Sequence, residues 1–319
     1  MRPHFRKDIL SSNWVIVSDL RSKRPNDYKY HNVKCPFCPG NEDETPPSIF
    51  SFPEEKRWIL RVVPNKYPAV EFYNDEFFEN EGIYKKEYLN GVHEIVIESP
   101  KHNLKIYQIK HYDKVLFIFA ERIKELYKLN GVKHVIVFRN YGAKAGASLR
   151  HPHSQIIALP LLPVRIEDEL THFFKYKSGN KKCLVCDIIK NEIEINKRVL
   201  FRTKNFIAFN PFASRFNFEI MIAPINHEMH YWKEKNFEEL KEVLDFVFIR
   251  LDKCIDDLSY NLVIHTAPYN CKDFHWHIEI LPKLAMPAGF EWGSGFFINS
   301  ISPEKACEIL KKGKRVKID

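Results

Sequence analysis

The segment His151-Pro-His153-Ser-Gln155 carries side chains whose types suit phosphoryl chemistry. In an extended strand successive side chains point to opposite faces, so His151, His153 and Gln155 share one face while Pro152 and Ser154 take the other. A neutral imidazole is a competent nucleophile near neutral pH, and its N-phosphorylated product is reactive enough to pass the group on. Double displacement is therefore the natural chemistry of His153. Gln155 would donate an amide N–H to a non-bridging phosphate oxygen without supplying a titratable proton, which favours transfer over hydrolysis. Just upstream, Asn140 to Ser148 reads NYGAKAGAS. Its small residues, Gly142 and Gly146 among them, let backbone N–H groups and the Ser148 hydroxyl approach a phosphate, although a plain turn has the same composition.

Taken in chain order, the cysteines and histidines describe one plan written twice. The first half has Cys35-Pro-Phe-Cys38, His102 closing HEIVIESPKH, and His151-Pro-His153; the second has Cys183-Leu-Val-Cys186, His227 closing FEIMIAPINH, and His275-Trp-His277. His102 and His151 are 49 residues apart and His227 and His275 are 48 apart, whereas the gaps from CxxC to the single His are 64 and 41. A structural zinc takes four N or S ligands, and CxxC offers two thiolates from one tight turn. We therefore expect one zinc on Cys35, Cys38, His102 and His151 and a second on Cys183, Cys186, His227 and His275. Singly, a CxxC is a pair of small buried residues and a His a satisfied polar group; two matched sets argue against coincidence. A zinc on His151 would anchor the strand beside His153 and limit the drift of its ring. In the second half HPHSQ has become His275-Trp-His277-Ile-Glu279, which sets a carboxylate where an amide would face phosphate. One transfer site per chain follows.

The elements that must hold these residues repeat as well. Asp113 opens and caps a helix with Leu116, Phe119, Ile123, Leu126 and Tyr127 on one face, and Asn236 opens another with Leu240, Val243, Leu244, Val247 and Leu251. Each is followed by a β-branched run, 132–138 and 260–265, and then by the HxH strand. The polar stretch 175–182 marks a junction, dividing the chain into 1–176 and 177–319. At 319 residues two domains are expected. The net charge of +8 comes from Lys and Arg scattered among 41 acids, without a basic stripe, which suits phosphorylated small molecules and argues against a nucleic-acid partner. No apolar run reaches the length of a membrane span, and the N-terminal stretch does not read as an export signal. Seven Cys, four of them in CxxC pairs, point to metal ligation in a reducing, cytoplasmic compartment.

Several segments together resemble the galactose-1-phosphate uridylyltransferase family, a two-domain branch of the histidine triad superfamily: SDLRSKRP at 18, CPFC at 35, RVVPNKYPAV at 61, ESPKH at 98, RNYGAKAGASLRHPHSQ at 139, the second CxxC and GFEWGSGFFINSISPEKA at 289. The resemblance implies an α+β fold of two tandem histidine-triad-like domains, each a mainly antiparallel sheet with packed helices, related by duplication. It implies that His153 is nucleotidylated, that Gln155 and Ser148 hold the phosphate, and that Asn65 and Asn140 contact nucleoside and phosphate. Arg21 and Arg24 would reach the phosphates from a partner subunit, so a homodimer is expected. Glu291, Gly293, Gly295 and Asn299 fall in the segment similar to the hexose-phosphate loop. Some family members bind a further metal through Glu and His; the matching residues are Glu169, His265, His277 and Glu279, for which hydrogen-bonded polar packing is the alternative. The substrates implied are a nucleotide sugar and a hexose 1-phosphate, namely UDP-glucose with galactose 1-phosphate. ADP-glucose phosphorolysis would use the same histidine, with inorganic phosphate as acceptor.

Overall fold

The β-branched runs that follow each helix form the two strands at the middle of the molecule. The computed structural model describes residues 2–11, 13–28, 34–73 and 75–315. The first half contributes β1 (His4–Lys7), β2 (Trp14–Val17), β3 (Phe50–Phe52), β4 (Leu60–Pro64), β5 (Phe77–Glu81), β6 (Tyr84–Tyr88), β7 (Val92–Ile97), α1 (Tyr112–Leu126), β8 (His134–Tyr141) and β9 (His153–Leu159). The second contributes α2 (Val164–Asn180), α3 (Leu184–Ile195), β10 (Val199–Arg202), β11 (Phe206–Phe209), β12 (Ile220–Pro224), α4 (Phe237–Cys254), β13 (Tyr260–His265), β14 (His277–Pro282), α5 (Gly289–Ser294) and α6 (Pro303–Lys312). Among the described residues no helix is long and apolar enough to cross a membrane.

Ten strands form one antiparallel sheet in the order β10-β11-β12-β14-β13-β8-β9-β7-β4-β3, and β2-β1-β6-β5 form a separate small sheet. Read outward from the centre, β13-β14-β12-β11-β10 repeats β8-β9-β7-β4-β3, so the duplication visible in the Cys and His order recurs in the strand order. The fold is α+β, and the sheets of its two halves are joined: β8 pairs with β13, Asn140 opposite Asn261 and Tyr141 opposite Tyr260. Left apart, each half would end in an open row of backbone donors and acceptors, and the pairing satisfies both.

One face of this sheet is structural. α1 and α4 lie across it, burying Val115, Leu116, Phe119 and Ile123 together with Leu240, Val243, Leu244 and Val247 against Val96, Val135, Val137, Ile156 and Ile278. Apolar side chains three and four apart form a stripe on each helix, and each one fully buried contributes about 1.5–3 kcal/mol. That face is thereby closed to solvent, which leaves the opposite one for chemistry. Two details differ from the sequence reading. His111 holds the N-cap position of α1 without a side-chain capping bond, and Asp113 sits in the first turn, favourably placed at the positive helix end and paired with Lys114 (3.0 Å). The polar stretch 175–182 is largely the end of α2. Its Ser178 and Asn180 side chains donate to helix carbonyls of Phe174 (2.8 Å) and Tyr176 (3.0 Å), so their polarity serves the helix, which ends at Lys181 with φ 59°.

Candidate active site

β9 divides its side chains as the alternation requires. Ser154 turns to one side and donates to the buried Glu98 carboxylate (2.6 Å), while His153 and Gln155 line a pocket on the other. The neighbouring strand β7 sets Ile97 opposite His153 and Ile95 opposite Gln155. His153 Nδ1 lies 2.7 Å from the His151 carbonyl, an acceptor only, so the ring proton sits on Nδ1 and the Nε2 lone pair is left free. Burial, with the Arg139 and Arg24 cations adding to it, pulls the ring down to about 4 despite that hydrogen bond, so the imidazole is neutral at neutral pH. Phe37, brought by the CPFC turn, packs against the ring at 5.3 Å between centroids.

The pocket brings together Arg21, Arg24, Asn65, Ser148, His153 and Gln155, all singled out in the sequence. Lys34 and Lys66, which the sequence reading did not select, also line it. Four cations on one concavity, with Glu44 as the acid among the lining residues, suit a diphosphate. Arg21 and Arg24 reach this pocket within the same chain, where the resemblance implied a partner subunit; Arg21 is held there by donating to the Tyr67 carbonyl (3.0 Å). Asn140 and Gly146 do not line it. Asn140 Oδ1 accepts from Asn261 (2.8 Å) across the joined strands, and Gly146, at φ 78°, ends the short turn after Gly142. Glu291, Gly293, Gly295 and Asn299 do not line it either. The Glu291 carboxylate accepts the Ala288 N–H (2.9 Å), and Asn299 donates to the carbonyls of Ser214 (2.9 Å) and Phe216 (3.3 Å), between β11 and β12. β12 is four strands from β9, about 19 Å at the usual strand spacing.

A further buried histidine went unnoticed in the sequence. His93, on β7, lies 3.0 Å from Gln155 Oε1 through Nε2, and its Nδ1 accepts the Ala69 N–H (3.0 Å). Burial and the nearby Arg21 cation pull His93 down to about 3. It shares the face of Ile95 and Ile97 along β7, so strand alternation traced back from Ile95 would have found it.

Both expected metal sets assemble, with the donor atoms of each set within 4.8 Å of one another. A zinc tetrahedron with the usual bond lengths has S···N edges of about 3.6 Å. In the first set Cys38 Sγ is 3.4 Å from His102 Nδ1 and 3.5 Å from His151 Nδ1. In the second, Cys183 and Cys186 Sγ are 3.6 and 3.5 Å from His275 Nδ1, and Cys186 is 3.7 Å from His227 Nδ1. Each HxH strand turns its first ring the same way: His151 Nε2 donates to the Ser99 carbonyl (2.7 Å) and His275 Nε2 to that of Pro224 (2.9 Å), leaving Nδ1 as the ligand atom. Without a cation, burial pushes the Cys35 thiol up to about 12, so ligation there releases a proton. Asp27 supports the first set, accepting the Arg150 N–H (3.0 Å) and lying 3.9 Å from His102 Nε2.

Glu169, His265, His277 and Glu279 also converge. They are already paired: His265 with Glu169 (3.1 Å) and Glu279 (3.4 Å), and Glu279 with Arg165 (3.2 Å) and Arg215 (2.8 Å). Burial opposes charging His265, but the two carboxylates outweigh it and push the ring up to about 9. The four residues are thus linked by ion pairs through His265 and Glu279, and their donor atoms also lie within 4.8 Å of one another, close enough to hold a metal ion.

A family model described as galactose-1-phosphate uridyl transferase, N-terminal domain, matches residues 1–163. The chain is 31% identical to ADP-glucose phosphorylase of Arabidopsis thaliana over 97% of this chain and 93% of that one. It is 32% identical to the galactose-1-phosphate uridylyltransferase of Thermotoga maritima over 96% and 97%. Among solved structures, an ADP-glucose phosphorylase from Arabidopsis thaliana with bound ADP-glucose superposes with a TM-score of 0.78 at 31% identity, over 99% of this chain and 100% of that one. A uridylyltransferase structure superposes with a TM-score of 0.84 at 30% identity, over 97% and 98%.

Proposed function

Since the chain belongs to the galactose-1-phosphate uridylyltransferase family and is a nucleotidyltransferase, we propose that it exchanges UDP-glucose and galactose 1-phosphate for glucose 1-phosphate and UDP-galactose through a nucleotidyl-His153 intermediate. The observation that carries this is His153 Nε2, unprotonated and facing a pocket of four cations with Gln155 and Ser148 alongside. Nε2 attacks the α-phosphorus. A P–N bond forms as the P–O bond to the leaving sugar phosphate breaks, and the His151 carbonyl holds the Nδ1 proton as the ring becomes cationic. Arg21, Arg24, Lys34 and Lys66 complement the phosphate charge, and Gln155 and Ser148 donate to the non-bridging oxygens. The acceptor phosphate then attacks the same phosphorus and the P–N bond breaks, restoring neutral His153.

Two zincs per chain complete the reading, one on Cys35, Cys38, His102 and His151 and one on Cys183, Cys186, His227 and His275. Bound there, zinc supplies structural anchorage of the HxH strands. The division into halves near residue 176 and a cytoplasmic setting belong to the same proposal; four of the seven cysteines fall in the two CxxC pairs, which supports the latter. A homodimer is supported by the distance of the 289–299 segment from its own His153, since a second copy could present that segment to the pocket.

The similarity to ADP-glucose phosphorylase favours a second reading, in which ADP-glucose is the donor and inorganic phosphate the acceptor. Intact-mass measurement after mixing with UDP-glucose or ADP-glucose separates the two by a uridylyl or adenylyl adduct. His153→Ala should abolish the adduct and His277→Ala should leave it. An adduct that survives His153→Ala would sink both readings.

A further inference from the structure

We propose that His93 is a positioning residue for nucleotidyl transfer, fixing which end of the Gln155 amide faces the phosphate. The inference rests on the role given above to Gln155. A carboxamide has two nearly isosteric ends, one donating and one accepting, and only the donating end helps an anionic phosphate. His93 decides between them. The Ala69 backbone N–H can only donate, and it points at Nδ1 (3.0 Å), so Nδ1 carries no proton and the neutral ring carries it on Nε2. Nε2–H therefore donates to Gln155 at 3.0 Å, which requires oxygen at that end and turns the amide NH2 into the pocket. The ring itself is fixed. It is 4% exposed, the Asn65 amide nitrogen lies over its face, 3.0 Å from Nε2 and 3.5 Å from Nδ1, and Asn65 Oδ1 is held by the Tyr67 N–H (2.8 Å). His93 thus joins Gln155 to Asn65, another lining residue, and does not itself line the pocket.

Two substitutions separate this role from a structural one. Gln places an amide where Nε2 sits and keeps the donor to Gln155; Asn places one where Nδ1 sits and keeps only an acceptor for Ala69. The measurement is the rate of adduct formation at saturating UDP-glucose or ADP-glucose, whichever labels the unsubstituted holoprotein, together with the concentration giving half that rate. We expect Gln155→Ala to slow the step about 100-fold, the usual effect of losing one transition-state donor. His93→Asn should slow it about tenfold at unchanged half-saturation, and His93→Gln should stay within about threefold of the unsubstituted protein. Added to Gln155→Ala, His93→Asn should change the rate less than about twofold, because its effect passes through the missing amide. Equal rates for His93→Asn and His93→Gln, or a full further loss in the double variant, would overturn the proposal. A Gln155→Ala protein as fast as the original would remove the role of Gln155 and that of His93 with it while leaving the His153 adduct intact. Absence of any adduct in the unsubstituted protein would instead remove the functional reading.

Discussion

Replacing Arg139 by Leu tests the buried charge pair behind the catalytic strand. Arg139 and Glu98 are 1% and 0% exposed, and Arg139 Nη2 lies 3.2 Å from Glu98 Oε2. Ser154, from the far side of the strand that carries His153, donates to Glu98 at 2.6 Å, and Arg139 also donates to Tyr260 of β13 (3.0 Å). With Leu at 139 the carboxylate would be stranded. Left ionised it would cost about 3–5 kcal/mol. Taking a proton at pH 7.0, against an ordinary value of 4.5, would cost about 3.4 kcal/mol at 1.36 per pH unit. The second route sets the loss. Burial already raises Glu98 in the intact protein, and without Arg139 nothing of comparable strength opposes it. A folded pKa above the unfolded one gives stability that is full below the unfolded value and is lost as pH rises. The deficit of Arg139→Leu should therefore be at most about 3.4 kcal/mol at pH 7.0 and at most about 1.4 kcal/mol at pH 5.5, lessened at both by the penalty that burial already places on Glu98 in the intact protein. Urea unfolding at both pH values, each referred to the unsubstituted protein at the same pH, cancels proton-linked metal binding. Glu98→Gln combined with Arg139→Leu should recover most of the loss and remove its pH dependence. A deficit equal at the two pH values, or larger at pH 5.5 than at pH 7.0, would refute the reasoning.

Metal analysis of the purified protein should find two zincs per chain, with Cys38→Ser losing one and Cys186→Ser the other; a protein free of zinc that refolds equally well in chelator would remove both sites. Gly142→Ala should lower stability by about 1–3 kcal/mol and slow adduct formation. Its backbone holds φ 84°, and a Cβ there would lie 2.1 Å from Ser259 Oγ, in the turn leading to Ser148. A melting temperature and adduct rate unchanged by that substitution would show that the turn can shift freely. Sedimentation should find a dimer, and a monomer at full activity would refute the proposed sharing of the 289–299 segment.

The parts of the site legible in the sequence were those with a local signature. HPHSQ declares its own alternation, and the CxxC, His and HxH series declares both ligand sets, because ligand chemistry restricts the residue types. What stayed hidden depends on cross-strand register. His93 sits inside VHEIVI beside Glu94, where two polar residues in a row leave the face of each undecided at a strand start; the pairing of Ile95 with Gln155 sets the face of His93 beside the pocket-lining amide. Arg139 and Glu98 look like ordinary surface charges until β8 and β7 flank β9. Lys34 and Lys66 lie in loops whose course no periodicity encodes. The end of α2 was misread because Ser, Gly and Asn signal turns by composition, yet here Ser178 and Asn180 bond back to their own helix.

The seam between β8 and β13 makes each half of the chain the other's missing neighbour. Cleaved within α2, the chain would yield two fragments, each with a long β-branched strand open along its border. Such fragments should reassemble by strand addition when mixed. A fused ancestral pair held this way can let one copy's chemistry lapse, as Glu279 indicates, because the lapsed copy is still required to complete the sheet around the working one.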